Sequence, residues 1–340
     1  MSGDYDVIII GGGHAGTEAA AMAARLGART LLLTSALDTI GQMSCNPAIG
    51  GIAKGTVVRE IDALGGIMGR AADRATIQFR MLNRSKGPAV WAPRAQCDRT
   101  LYKRAVRHLL EAFPLLELMQ GMVTRLLVEG DQLQGVATAD GRRFTARAVI
   151  LTAGTFLRGR IHVGTQTQIP AGRAGDPPAV EVAQHVESLG LTVSRFKTGT
   201  PPRVDGRTVD WSKVERQDGE GDVFRFSSYE RSPLPQQLPC WITWAGAAFK
   251  EIIQRHLGES ALYGGAISGR GPRYCPSVED KVVKFPNAPR HQVFLEPEGL
   301  DTNELYLNGL STSLPVAVQL EFLRAVPGLE GATMTRPGAQ

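Results

Sequence analysis

Asp6-Val7-Ile8-Ile9-Ile10-Gly11-Gly12-Gly13-His14-Ala15-Gly16 is the stretch that decides the fold of this chain. A short apolar run ends in glycines and passes into Thr17-Glu18-Ala19-Ala20-Ala21-Met22-Ala23-Ala24, whose alanines and freedom from proline favour a helix. The reading is strand, tight turn, helix. Gly11, Gly13 and Gly16 fill the glycine positions of G-x-G-x-x-G, where missing side chains permit a tight turn, close approach of a pyrophosphate and close packing of helix on strand. The amides and positive dipole end of the new helix then face the phosphates. The motif alone is a weak signal. Inside a strand, helix, strand unit it predicts dinucleotide binding, with a plain glycine turn as the bland alternative.

The second strand, Ala28-Arg29-Thr30-Leu31-Leu32-Leu33-Thr34, is expected to end on an acidic residue for the ribose hydroxyls. It ends on Thr34 and Ser35, and the nearest carboxylate is Asp38. The motif therefore leaves FAD and NAD both open.

At 340 residues and 43% hydrophobic content the chain is long enough for a large core divided between two domains. No apolar run approaches the ~20 residues of a membrane span, and the N-terminus enters the first strand without a leader, so the expectation is a soluble, cytoplasmic protein. The four cysteines, Cys45, Cys97, Cys240 and Cys275, form no C-x-x-C pair, which signals neither a zinc site nor a redox dithiol. No metal is expected. A formal net charge of +5 is compatible with a polyanionic partner without requiring one.

The stretch from Thr39 to Gly55 is rich in glycine and reads as a cofactor-facing loop. Cys45 precedes Asn46-Pro47 in a turn, within reach of solvent or substrate; an ordinary buried cysteine is the competing reading. Val57 to Leu64 reads as a helix and Ala75 to Leu82 as a strand. Asn83 to Arg99 is a basic loop with Trp91 among cations, a pattern that can hold nucleic acid or merely cover a cofactor. Thr100 to Phe113 is an amphipathic helix through Leu101, Ala105, Leu109 and Ala112.

From Leu115 to Val149 apolar segments alternate with turn signals, which reads as a small antiparallel meander. It returns through Arg147 to Phe156, a buried strand ending at Gly154, and a strand of that kind after a meander tilts the first site from NAD to FAD. A Pro/Gly hinge lies at Thr198 to Arg203, and Val204 to Trp244 reads as inserted material with long loops. Gly264 to Phe285 combines a second glycine-rich turn with Cys275, flanked by Arg270, Arg273, Lys281 and Lys284. Nearby cations raise a thiolate fraction, which favours Cys275 as a nucleophile over a plain structural loop. Gln292 to Gly299 and Glu304 to Gly309 read as strands, and Val316 to Ala325 as a helix.

Three motifs carry a resemblance to the MnmG (GidA) family of FAD-dependent tRNA uridine 5-carboxymethylaminomethyl modification enzymes: Gly11 to Gly16, Gly41-Gln42-Met43-Ser44-Cys45-Asn46-Pro47-Ala48-Ile49-Gly50-Gly51, and Gly271-Pro272-Arg273-Tyr274-Cys275-Pro276-Ser277-Val278-Glu279-Asp280-Lys281. Gly172 to Pro178 and Lys197 to Arg203 also fit. The resemblance implies an α/β protein with a Rossmann-like, glutathione-reductase-like FAD-binding domain and an inserted second α/β domain for NAD. The domain bounds expected are 1–200 for the first part of the FAD domain, with the meander at 115–147, 201–285 for the insert, and 286–340 for a return to the FAD domain. Members work with an MnmE-type GTPase to install an aminomethyl-type group on the wobble uridine of certain tRNAs. Methylenetetrahydrofolate is the one-carbon donor and NADH the reductant.

By the same resemblance Cys45 and Cys275 match the family's two functional cysteines, one adding to uracil C6 and the other assisting, with the assignment between them open. Gly11, Gly12, Gly13, His14, Ala15 and Gly16 match the FAD pyrophosphate site, and Val123 and Ala179 further FAD contacts. Gly271, Pro272, Arg273, Tyr274, Ser277, Glu279 and Lys281 fall in the segment assigned to NAD, with Arg273 and Lys281 also candidates for tRNA phosphate. A homodimer is implied for the full-length form. Members of the family continue for roughly as long again, through a Gly-Tyr-x-Glu segment closing over FAD and a helical domain for tRNA and the GTPase, so this chain is expected to hold FAD weakly and to lack partner binding. The alternatives are a generic NADH-dependent flavin oxidoreductase and a non-catalytic RNA-binding or dimerisation fragment.

Overall fold

A computed structural model describes residues 4–221, 224–268 and 276–340. The chain opens with β1 (Asp4–Ile10), α1 (His14–Arg25) and β2 (Thr30–Thr34), followed by β3 (Ala48–Gly50), α2 (Lys54–Ala63), α3 (Met68–Ala75), β4 (Thr76–Leu82), β5 (Ala92–Cys97), α4 (Arg99–Glu111) and β6 (Leu116–Gln120). Then come β7 (Val123–Glu129), β8 (Gln132–Thr138) and β9 (Arg143–Leu151). These strands form a six-stranded sheet in the order β6-β2-β1-β9-β8-β7 and a three-stranded sheet in the order β3-β5-β4.

The apolar runs of β1 and β2 are continuous because both faces of the sheet are covered. Ile9 and Leu32 point to the helical side, with Ala20, Ala21 and Ala24 of α1 and Val106, Leu109 and Leu110 of α4. Ile8, Ile10, Leu31 and Leu33 point to the other side, against Val123, Val136 and Phe144 of the meander. Alternation along each strand thus feeds two cores, as expected of a sheet layered on both faces. On α4 the buried stripe is Tyr102, Ala105, Val106, Leu109 and Leu110, while Ala112 is exposed. Asp98 caps this helix, accepting from Leu101 N at 2.8 Å, and its other oxygen accepts from Leu300 N at 2.7 Å. The start of α3 is satisfied in an unusual way, by Glu18 of α1, which accepts from Ile67 N and Met68 N.

Two sequence expectations change here. The segment from Leu116 to Gln120 is not part of the meander: it pairs in parallel with β2 at the sheet edge. The meander is β7, β8 and β9, and its last strand is also the return strand, pairing antiparallel with β8 and in parallel with β1.

After β10 (Arg160–Val163), β11 (Thr167–Pro170) and α5 (Glu181–Ser188) the chain enters a second unit: β12 (Arg203–Asp205), β13 (Glu215–Gln217), β14 (Cys240–Ala245), α6 (Ala247–Arg255), α7 (Val278–Lys284), β15 (His291–Pro297), β16 (Glu304–Asn308), α8 (Val316–Arg324) and β17 (Met334–Arg336). Its sheet, β13-β14-β15-β16-β12-β17, is antiparallel throughout, and α6, α7 and α8 share one core with it. The molecule is mixed α/β with a parallel, Rossmann-like first sheet, as expected. The strands of 286–340 do not return to that first sheet. β15, β16 and β17 complete the second one, because Leu295 and Leu307 have their apolar partners on α6, α7 and α8. Among the described residues no helix is long and apolar enough to cross a membrane, and no group of three His, Cys, Asp or Glu could hold a metal ion.

Candidate functional site: a glycine-lined cleft beside a buried cysteine loop

The parallel strands end at a switch point. From β1 the chain crosses to β2 on one side, and β9 lies on the other, which leaves a crevice at the carboxyl ends of the strands. An open cleft of about 260 Å³ occupies it, lined by Gly11, Gly12 and Gly13 of the first turn, Thr34 and Ser35 at the end of β2, Val123, Thr152 to Phe156, and Ala179. Thr39, Gln42 and Ser44 bring the cysteine loop to the same wall. Asp38 does not reach it and faces α4.

The glycines are needed where they stand. Gly11 has φ +109°, and a Cβ there would lie 2.6 Å from Thr152 O. A Cβ on Gly16 would collide with the Gly11 carbonyl, whereas one on Gly13 would meet nothing and project into open space. α1 begins with no side-chain cap and no acidic residue in its first turn. Its free amides therefore suit an anion. The His14 side chain turns away from the cleft: its Nδ1 lies 3.3 Å from the Tyr102 hydroxyl, and burial lowers its pKa, which keeps the ring neutral. Ala15 and Gly16 contribute backbone at the helix start.

The cleft residues fit a dinucleotide such as FAD. They offer uncapped helix amides and glycine backbone for a diphosphate, and Thr34 and Ser35 hydroxyls for a ribose. Arg173 is the one charged residue among the described lining residues. Its Nη1 donates to Ser44 Oγ at 3.2 Å while its Nε is held by Asp176 at 2.7 Å.

Next to Ser44, the half-buried Cys45 points its sulfur at the second sheet. Sγ donates to Gly199 O at 3.3 Å and lies 3.4 Å from the Tyr306 hydroxyl. Arg203 fixes the loop from below. Its guanidinium donates to Cys45 O and to Pro201 O, both at 3.0 Å, also bonds Thr200 Oγ1, and stacks 4.9 Å from the Tyr306 ring centroid. Glu298 neutralises Arg203 at 3.0 Å and Arg99 at 2.5 Å, and Arg99 reaches Met43 O. Burial pushes the Glu298 carboxyl up, but Arg99 and Arg203 together hold it below its ordinary value. Cys97 and Cys240 are buried, and burial raises both thiols strongly, which leaves them chemically quiet.

Cys275, with Gly271, Pro272, Arg273 and Tyr274, lies outside the described residues. The chain resumes at Pro276 close to the Cys45 side: Val278 N donates to Ser311 O at 2.7 Å, and Ser311 packs against Gly199. Ser277 caps α7, accepting from Asp280 N at 3.2 Å. Glu279 is fully buried, its Oε1 accepting from Ser260, Thr312 and Ser313. Ser277 and Glu279 Oε1 are thus held by the protein interior, while Glu279 Oε2 is buried with no hydrogen-bond partner among the described residues. Lys281 donates to Gly309 O at 2.8 Å. The residues that build the cysteine site and that no motif flagged are Tyr306 and Glu298, while Arg99, the last residue of the basic loop, serves this site. Buried charges beside Pro/Gly turns were the available signal, since such charges need partners.

The sequence model for glucose inhibited division protein A matches residues 6–340. The structure of Aquifex aeolicus GidA in its form I crystal is 50% identical, with a TM-score of 0.93 over 99% of this chain and 57% of that one. The form II crystal gives 48% identity and a TM-score of 0.90 over 99% and 55%. The chain thus spans somewhat more than half the length of these relatives.

Proposed function

The chain belongs to the glucose inhibited division protein A family, and we propose that it is the flavin- and thiol-bearing portion of an enzyme that modifies C5 of the wobble uridine of tRNA. The observation that carries this reading is the adjacency of Ser44, on the wall of the glycine cleft, and Cys45, clamped between Gly199 and Tyr306. A reacting thiol beside a dinucleotide cleft suits chemistry on a pyrimidine, whose C5 becomes nucleophilic only once something adds at C6.

In this reading Gly11 to Gly16 and the Thr34–Ser35 hydroxyls hold FAD, with Val123 and Ala179 as walls and Arg173 opposite the phosphates or the flavin oxygens. FAD supplies the redox chemistry and NADH reduces it. Cys45 or Cys275 adds as thiolate to C6, and the C5=C6 electron pair moves toward the C4 carbonyl as an enolate. C5 then bonds the methylene carbon of methylenetetrahydrofolate as one of that carbon's two C–N bonds breaks, its electron pair staying on the folate nitrogen. Loss of the C5 proton re-forms C5=C6 and expels the thiolate. A GTPase partner of the MnmE type, tRNA and a second copy of the chain complete the proposed assembly.

The test is a tRNA carrying fluorine at C5 of the wobble uridine, where no proton can leave. FAD-loaded chain supplied with NADH, methylenetetrahydrofolate and an MnmE-type GTPase, at tRNA concentrations shown by gel shift to give binding, should give an adduct that survives a denaturing gel and disappears in either Cys45→Ser or Cys275→Ser. Absence of the adduct, or its persistence when both cysteines are replaced, overturns the reading. Flavin reduction by NADH at a rate indifferent to tRNA would favour a small-molecule oxidoreductase instead.

A further inference from the structure

We infer that Tyr306 is the positioning residue of Cys45, donating its hydroxyl hydrogen to the sulfur and so favouring the thiolate, with Arg203 locking the two together. The inference deepens the reading of Cys45 as a reacting thiol and rests on it.

The geometry is that of a preset donor. Tyr306 is only 5% exposed, so its hydroxyl has little access to water, and the Cys45 sulfur lies 3.4 Å away. The sulfur's other partner is the Gly199 carbonyl, an acceptor that can take the thiol hydrogen. With that direction occupied, the remaining contact needs a donor, and Tyr306 supplies one. Burial, and after it the Cys45 charge, raises the Tyr306 hydroxyl well above its ordinary value, so it keeps its hydrogen and remains a donor. Arg203 removes the freedom of both groups, stacking on the Tyr306 ring and bonding Cys45 O. A fixed donor that is itself shielded from water stabilises an anion more than a freely solvated donor does.

The charged groups around the pair come from four directions. Arg203 stands on β12, Glu296 faces Tyr306 across the β15–β16 pair, Glu298 follows β15, and Arg99 opens α4. Arg94 offsets Glu296 at 2.7 Å, while Arg99 and Arg203 share the single carboxylate of Glu298, which leaves one net positive charge near the loop in both the parent and Tyr306→Phe. Arg173 stands beyond Ser44.

The test is the pH profile of Cys45 alkylation by iodoacetamide, read by peptide mass spectrometry in the FAD-free chain and in Tyr306→Phe. The variant keeps the ring and the Arg203 stack, and its thermal midpoint is measured alongside. The expected result is a half-maximal pH moved up by about one unit, a tenfold loss of labelling at a fixed lower pH, with the plateau rate at high pH unchanged. Superimposable profiles overturn the inference, as does a drop in rate at all pH values, which marks a structural role only. The readout involves no tRNA. If the profile shifts while Cys45→Ser still forms the fluorouridine adduct, Tyr306 keeps its role and Cys45 loses the part of C6 nucleophile.

Discussion

Arg203 Nη2, on the second sheet, donates to the backbone carbonyl of Cys45, on the loop that reaches the first sheet's cleft, at 3.0 Å. Arg203 is 4% exposed and Glu298 6%, so this tie between the two units runs through a nearly dry ion pair. Removing one member of such a pair leaves the other charged and unmatched. Glu298→Gln should therefore cost about 3–5 kcal/mol in urea unfolding, far above a surface pair such as Lys213 with Glu330. It should also speed Cys45 alkylation by loosening the loop. Stability within a few tenths of a kcal/mol of the parent would remove Arg203 and Glu298 from the account.

The first glycine turn separates folding from binding. Gly13→Ala places a methyl where no protein atom stands, so stability should hold while flavin affinity falls about tenfold, ~1.4 kcal/mol. Gly16→Ala drives a methyl into the Gly11 carbonyl and should lower both stability and flavin retention. Fluorescence titration with FAD and thermal unfolding distinguish the two. Equal losses of stability in both variants would contradict the assignment.

Asp73 provides a pH dependence with a defined sign. It accepts from Phe226 N and Ser227 N, both at 2.9 Å, and latches residues 226 and 227 onto α3. Burial raises its pKa from 3.8 to about 6, the two amides pulling the other way. The folded state then holds the proton more tightly than the unfolded one. Its contribution is complete below about pH 4 and is lost as pH rises through about 6, an amount on the order of 3 kcal/mol. Relative to Asp73→Asn, the wild type should lose stability across that window. A constant difference between the two chains from pH 4 to 7 would refute the shift.

What the sequence disclosed and what it withheld divide along the range of the interactions. The turn from Ile10 to Gly16, the helices near 57–64 and 100–113, and the strands near 292–299 and 304–309 are local patterns, and all appear at those places within a few residues. The cleft was legible for the same reason, since the glycine turn carries its own geometry. The antiparallel partners of β12, Tyr306 with Arg203 and Arg336 with Arg203, are over a hundred positions apart, and no periodicity announces them. By the resemblance Ser277 and Glu279 belong to a segment assigned to NAD. They turned inward because a helix cap and three buried hydroxyl or amide donors claim them. Tyr306 read as one apolar position of a strand; only the fold brings its hydroxyl to Cys45.

The central claim is that the glycine cleft and the Cys45 thiol belong to one site, and alkylation of Cys45 with and without FAD tests it most directly. With FAD at about three times the parent's dissociation constant, labelling of Cys45 should slow by about threefold or more in the parent chain and by less than about 1.5-fold in Gly13→Ala, only about a quarter of which is occupied at that concentration. An unchanged Cys45 labelling rate in parent chain whose flavin fluorescence reports that FAD is bound would contradict it.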